Sequence, residues 1–199
     1  VRQTTGKSPL KIYEDTNQEL KALWEAQLQG LKTTPAKRIN PRHTTAYTNY
    51  TYPQIDISSG HIIALKYGMD TVPLFVVLDH QQQKEHLTIS GNIQPGVSFS
   101  VAQNQLVWIE EEKDLWRKDH SYAVIKHYDL STQQCKTLTH KSRYGAAALS
   151  PDAKEIVAIE SDESYNHQLV ILDATDGQVL RRLPNPDNHF YFAPRWSAD

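Results

Sequence analysis

The chain has 199 residues, with 21 Lys and Arg against 23 Asp and Glu, a net charge of −2, 39% hydrophobic and 22% charged residues. This is enough apolar material for the core of one or two domains, and it has no clustered cations for a phosphate backbone, so nucleic acid is excluded as a partner. No apolar stretch reaches the roughly 18 residues of a membrane span, and the single cysteine, Cys135, excludes an internal disulfide and any CxxC metal or redox site.

The chain opens on Val1 with no signal-like segment and closes inside a repeat, so both ends read as cut and a longer parent is expected. Residues 1–45 read as a helix and a linker. Ser8-Pro9 opens the helix, since proline is tolerated in a first turn. Leu20, Leu23, Trp24, Leu28 and Leu31 form one apolar stripe; Gly30 sits near its end and Thr33-Thr34-Pro35 terminates it. A lone amphipathic helix cannot bury its own stripe, so it must dock on the repeats or on something outside this chain. Ala36 to Thr45, with Pro41 and several basic residues, reads as linker.

From residue 46 to 199 one pattern recurs. Tyr52–Ser58 leads to Ile62–Leu65 and Leu74–Asp79. Pro95–Ser100 leads to Leu106–Glu110, Tyr122–Ile125 and Asp129. Tyr144–Ser150 leads to Glu155–Glu160 and Gln168–Asp173, and Phe190–Asp199 restarts it. Taken as anchors, Ser58, Ser100, Ser150 and Ser197 lie 42, 50 and 47 residues apart. Each copy resolves into four short strands; in the third these are 145–149, 155–160, 168–172 and 178–183. Turn chemistry lies between them at Pro151-Asp152, Glu163–Asn166 and Asp176-Gly177.

Four-stranded units at this period are the signature of a β-propeller. The fold expected is therefore all-β: about three blades and the start of a fourth, preceded by one amphipathic helix. Propellers close with about four to eight blades. Three and a stub imply a fragment, whose bare edges and helix stripe would contact missing parts of the parent or another copy of itself.

The repeat resembles the TolB-type, WD-like propellers. Ser150-Pro151-Asp152-Ala153 matches their SPDG turn with alanine for glycine, and Ser197-Ala198-Asp199 matches it weakly. Leu78-Asp79, Tyr128-Asp129 and Leu172-Asp173 match the end of their third strand. A narrower resemblance joins the helix, Tyr50–Pro53, Ile63–Lys66, Trp116-Arg117 and Ser121–Ile125. It is similar to secreted or surface proteins of Bacteroides-type bacteria in which a zinc-peptidase-like domain precedes such a propeller. That resemblance implies the periplasm or cell surface, and a peptidase domain outside this chain.

No catalytic centre is expected within the chain. Its nine histidines include no HExxH pair for zinc; His80 and His86 flank Glu85 across a turn and read as exposed hairpin residues. Gly96-Val97-Ser98-Phe99-Ser100 lacks the second glycine of a nucleophile elbow. No cofactor or metal is expected. Asp79, Asp129 and Asp173 recur at one position and read as turn-fixing carboxylates, with Pro151, Asp152 and Trp196 as further structural repeat positions. Trp108 and Trp196 read as strand residues in blade packing.

The candidate interaction residues are Trp116, Arg117, His120 and Tyr122, on or beside the long excursion Glu110–His120, because Trp and Arg are favoured at interface hot spots. The structural alternative tucks Trp116 over its own blade. The function expected is a non-catalytic protein-interaction or substrate-presenting platform accessory to a peptidase domain, and the alternative is a stand-alone module that binds a protein or peptide.

Overall fold

The computed structural model describes residues 6–41, 44–79, 82–93 and 99–197. His80, the Gly96–Ser98 segment and Asp199 lie outside these, and the side chains of Asp79 and Glu85 are not described. Two compact units are present, Val1–Lys37 and Arg38–Asp199. In the first, α1 spans Pro9–Gln29. Ser8 caps it, its Oγ accepting from the Lys11 N–H at 3.2 Å, and Gly30 closes it. Lys7 and Lys11 both pair with Asp15, at 2.7 and 3.1 Å. Leu23, Trp24, Leu28 and Leu31 are exposed. Among the described residues no helix is long and apolar enough to cross a membrane.

The second unit is a partial β-propeller of three four-stranded antiparallel blades. Blade 1 comprises β1 (Thr48–Ile55), β2 (Ile62–Gly68), β3 (Leu74–Asp79) and β4 (Gln82–Ile89). Blade 2 comprises β5 (Ser100–Ala102), β6 (Gln105–Lys113), β7 (Ser121–Asp129) and β8 (Gln134–Thr137). Blade 3 comprises β9 (Tyr144–Leu149), β10 (Glu155–Ser161), β11 (His167–Asp173) and β12 (Val179–Leu183). Each strand pairs with its sequence neighbour, so every blade is a meander.

The middle strands are apolar without alternation because both of their faces are covered. Along β6, Leu106 and Trp108 join Ile63, Phe75 and Val77 of blade 1 in one core. Val107 and Ile109 point the other way and join Leu149, Ile156 and Leu172 of blade 3 in a second. In the first core Phe75 meets both Phe99 and Trp108 with ring centroids 5.0 Å apart, and the Trp108 indole N–H donates to the Ser90 carbonyl at 2.9 Å. Ile39, from the stretch that reads as linker, packs on the far face of blade 1 beside Ala64 and Val76.

Blades are also stitched along their innermost strands. Gln54 of β1 donates to the Phe99 carbonyl and accepts from the Val101 N–H. One blade on, Ser100 occupies the position of Gln54, and its Oγ accepts from the Leu149 N–H at 3.0 Å. Pro53, which has no N–H, sits in a bulge of β1 where Tyr52 takes φ 52°.

The registers correct the serine anchors. Ile55, Val101 and Leu149 pair with Ile62, Leu106 and Ile156, which sit alike in their blades. The residues that share the anchor position are therefore Asp56, Ala102 and Ser150, not Ser58, Ser100 and Ser150. Turn chemistry explains the slip. In blade 3, Ser150 opens the turn and donates to Asp152 at 2.7 Å. In blade 1 the roles are exchanged: Asp56 opens the turn and accepts from Ser58 and Ser59. In blade 2 a two-residue turn, Gln103-Asn104 with φ 48° and 60°, replaces it. A second correction concerns Trp196. It lies in the irregular stretch 184–197 rather than on a strand, packs on blade 3 beside Val157 and Ile171, and donates to the Ala148 carbonyl at 3.0 Å.

Asp56 is fully buried and also accepts from the Asn104 N–H of blade 2 at 3.2 Å. Burial alone would raise its carboxyl, but the donors from Ser59, Ser58 and Asn104 outweigh it and hold it below 3.8. Its contribution is thus present above about pH 4 and lost as pH falls through the depressed value. Asp56→Ala strands these donors and should cost about 2 kcal/mol at pH 7. Urea unfolding at pH 7 and pH 3 checks this, with a smaller difference between variant and parent at the lower pH.

Candidate functional site

Because the blades stack in register, equivalent turns gather at the same end. We call upper the rim that carries the turn between the second and third strands of each blade. There, residues released from packing present large apolar side chains: Met69 in blade 1, Leu115 and Trp116 in blade 2, Tyr165 in blade 3, with exposures of 85%, 93%, 94% and 74%.

The blade 2 turn is the longest of the three and is held by one carboxylate. Asp114 Oδ1 accepts from the backbone N–H groups of Trp116 and Arg117 at 2.8 and 3.0 Å, and Oδ2 accepts from the Tyr122 hydroxyl at 3.0 Å. The His120 N–H donates to the Arg117 carbonyl, and the Asp114 N–H to that of His120. These donors keep the Asp114 carboxyl below its usual range, and the same bond raises the Tyr122 phenol. Trp116 therefore does not tuck over its blade; it projects from a closed loop. Of the four residues singled out from sequence, Tyr122 ties the loop to β7, His120 and Arg117 close it through their backbones, and Trp116 forms its tip.

Beside this loop lies a cleft of about 580 Å³ between blades 2 and 3. Tyr122, Lys141 and Arg143 line it from the blade 2 side, and Glu160, Asp162 and Asn188 from the other. Two asparagines build the second wall, and sequence reading missed them. Asn185 donates to the carbonyls of His167 and His189 at 2.7 and 2.9 Å, and Asn188 accepts from the His167 N–H at 2.7 Å. The Phe190 ring stands edge-on to His167 at 5.2 Å. An Asn-Pro-Asp-Asn run after a last strand is a turn signal that could have pointed there. Two acids of the cleft are engaged, Glu160 with Arg182 at 3.1 Å and Asp162 with Ser164 and Asn166, and Glu163 lines it as well. Lys141 and Arg143 make no ion pair among the described residues.

The recurrent aspartates lie at the opposite, lower rim. Asp129 accepts from the Ser131 and Thr132 N–H groups at 2.8 and 3.1 Å, and Asp173 from that of Thr175 at 2.7 Å. Asp152 accepts from Ser150 and from the Lys154 N–H, and Pro151 sits in the same turn. Among the described residues no group of three or more His, Cys, Asp or Glu is placed to hold a metal. Ser161 Oγ lies 2.9 Å from His167 Nδ1, but the serine ends a strand rather than forming a sharp turn, and no carboxylate is hydrogen-bonded to that ring among the described residues.

No protein-family model matches the sequence, and no curated protein matches it either. Among solved structures it is similar to TolB from Acinetobacter baumannii, with 19% identity over 64% of this chain and 30% of that one, and a TM-score of 0.48. It is similar to a puromycin-hydrolysing peptidase of Mycobacterium tuberculosis, with 15% identity over 69% of this chain and 22% of that one, TM-score 0.49. A third is the β-propeller domain of the trilobed protease from Pyrococcus furiosus, with 10% identity over 70% and 43%, TM-score 0.48. The chain spans less than half the length of each, and its blade architecture rests on its own three sheets and their registers.

Removing the carboxylate in Asp114→Ala should free the loop without unfolding the blades, since the group is on the surface. The backbone heteronuclear NOE of Trp116 is expected to fall well below that of β7, while the thermal midpoint stays within about 2 °C, as for other surface changes.

Proposed function

We propose that the upper rim of blades 2 and 3 is a protein-contact face and that the chain works as a non-catalytic interaction platform. The observation that supports this most is the Leu115-Trp116 tip. It holds two large apolar side chains almost wholly in solvent on a loop that its own Asp114 has already ordered. A preordered aromatic anchor binds at a lower entropic cost than a floppy one. The neighbouring cleft adds a polar rim of both charges, in which Lys141 and Arg143 make no close ion pair among the described residues and so can meet a carboxylate of the segment it receives.

The narrower reading places the platform in a larger cell-envelope protein, accessory to a peptidase domain that lies outside this chain. Its support is the likeness of the helix, Tyr50–Pro53 and Trp116-Arg117 to Bacteroides-type proteins. In that setting the rim would position a protein substrate or the peptidase domain itself, and the chain would supply no reacting group.

A photo-crosslinking amino acid placed at position 116, and separately at the exposed position 154 on the lower rim, tests the proposal in cells producing the protein. A discrete protein adduct from 116 that is absent from 154 is expected, and Arg143→Glu should reduce its yield severalfold. No adduct at 116, or the same adduct from both positions, would contradict the contact face.

A further inference from the structure

The lower rim holds a group that the platform reading leaves unused. His127 lies on β7, where it pairs across the sheet with Val107 of β6 and Lys136 of β8. It is 7% exposed, and its Nδ1 is buried with no hydrogen-bond partner. A cleft of about 350 Å³ between blades 2 and 3 adjoins it, lined from blade 2 by Gln103, Gln105 and Lys136 and from blade 3 by Asp152, Ala153 and Thr175. Few bonds cross this joint. Lys136 Nζ donates to the Thr175 carbonyl at 2.7 Å, and the Gln103 side chain to that of Pro151 at 3.4 Å.

We propose that this joint is a proton-operated latch, in which protonation of His127 opens blade 2 from blade 3 at the lower rim. The charges around the ring make the case. Lys136 is its direct cross-strand neighbour, so an imidazolium would place a second cation beside the first. The carboxylates within reach are already committed: Asp129 to Ser131 and Thr132, Asp152 to Ser150 and Lys154, and Asp173 to Thr175. Gln103 and Gln105 are neutral. Asp129 pulls on the ring less than Lys136 repels it, and Nδ1 is buried while the ring only edges the cleft, so fuller hydration through opening is the relief left to the charged form.

Burial, then Lys136, lowers the His127 pKa from 6.5 to about 4, against a smaller opposing pull from Asp129. The closed joint thus favours the neutral ring. The stability this gives is complete above about pH 6.5 and is lost as pH falls towards 4. If the open joint restores an ordinary imidazole, the ratio of open to closed rises about twentyfold between pH 7 and pH 5.

The Leu149 amide reports the joint, because it bonds to Ser100 Oγ across the two blades. The Val101 amide, bonded to Gln54 across blades 1 and 2, is the internal control. After correction for intrinsic rates, hydrogen exchange at Leu149 in the wild-type chain is expected to rise about twentyfold from pH 7 to pH 5, with Val101 unchanged. His127→Gln should abolish the rise. An unchanged Leu149, an equal rise at Val101, or a rise that persists in His127→Gln would each overturn the latch. Should the variant not fold, the wild-type comparison and an NMR titration of the His127 ring decide. A ring that titrates near 6.5 while the joint stays shut refutes it.

Discussion

The structure depends on covering both faces of every blade. A strand such as β6, with Leu106, Val107, Trp108 and Ile109 in succession, cannot turn one face to water without exposing half of its apolar side chains. A single four-stranded meander would therefore leave an apolar face in water. Stacking blade on blade resolves this, because each middle strand feeds two cores at once. Blade 2 is the keystone: its two faces complete the cores of blades 1 and 3. The polar stitches from Gln54 and Ser100 then tie neighbouring inner strands together.

That arrangement leaves the rims as the places where residue choice is free. At the lower rim the turns are tied by aspartates to their own backbones and, at Asp56, to the Asn104 N–H of the next blade. At the upper rim each turn displays an apolar side chain that no core requires, and that of blade 2 is the longest. Asp114 separates a display loop from a floppy one: by accepting two backbone N–H groups and the Tyr122 hydroxyl it spends its hydrogen bonds on order rather than on a ligand. The cleft alongside is polar for a related reason, since Asn185 and Asn188 must satisfy the backbone of the β10–β11 hairpin to hold its wall in place.

The blade architecture was legible because strand period and turn residues are local. Ser8 and Pro9 marked the helix start within a residue, its end came at Gln29 rather than at the expected Thr33–Pro35, and the third blade's strands fell within a residue of their observed ends. The repeat register was harder. Asp56 and Ser150 perform one task with opposite chemistry, and a two-residue turn at Gln103-Asn104 removes the motif from blade 2, so matching serine to serine slipped by two. Trp196 looked like a strand residue because its neighbours resemble the start of a blade, yet its indole is fixed by the Ala148 carbonyl outside any ladder. Of the cleft only the Asn185–Asn188 turn left a trace in the sequence, and the orphan nitrogen of His127 left none. Both arise from residues about twenty or more positions apart, brought together only by stacking.

The central claim is that the blades fold as one stacked unit rather than as separate sheets. Trp108 reports the core between blades 1 and 2, and Trp196 the far face of blade 3. Two single-tryptophan variants, with the other three tryptophans replaced by phenylalanine, would follow urea unfolding at each place by fluorescence. Shared cores require one transition with coincident midpoints and slopes. A Trp196 signal that unfolds at clearly lower urea while Trp108 stays buried would contradict the stacked unit and, with it, the rim that the stacking assembles.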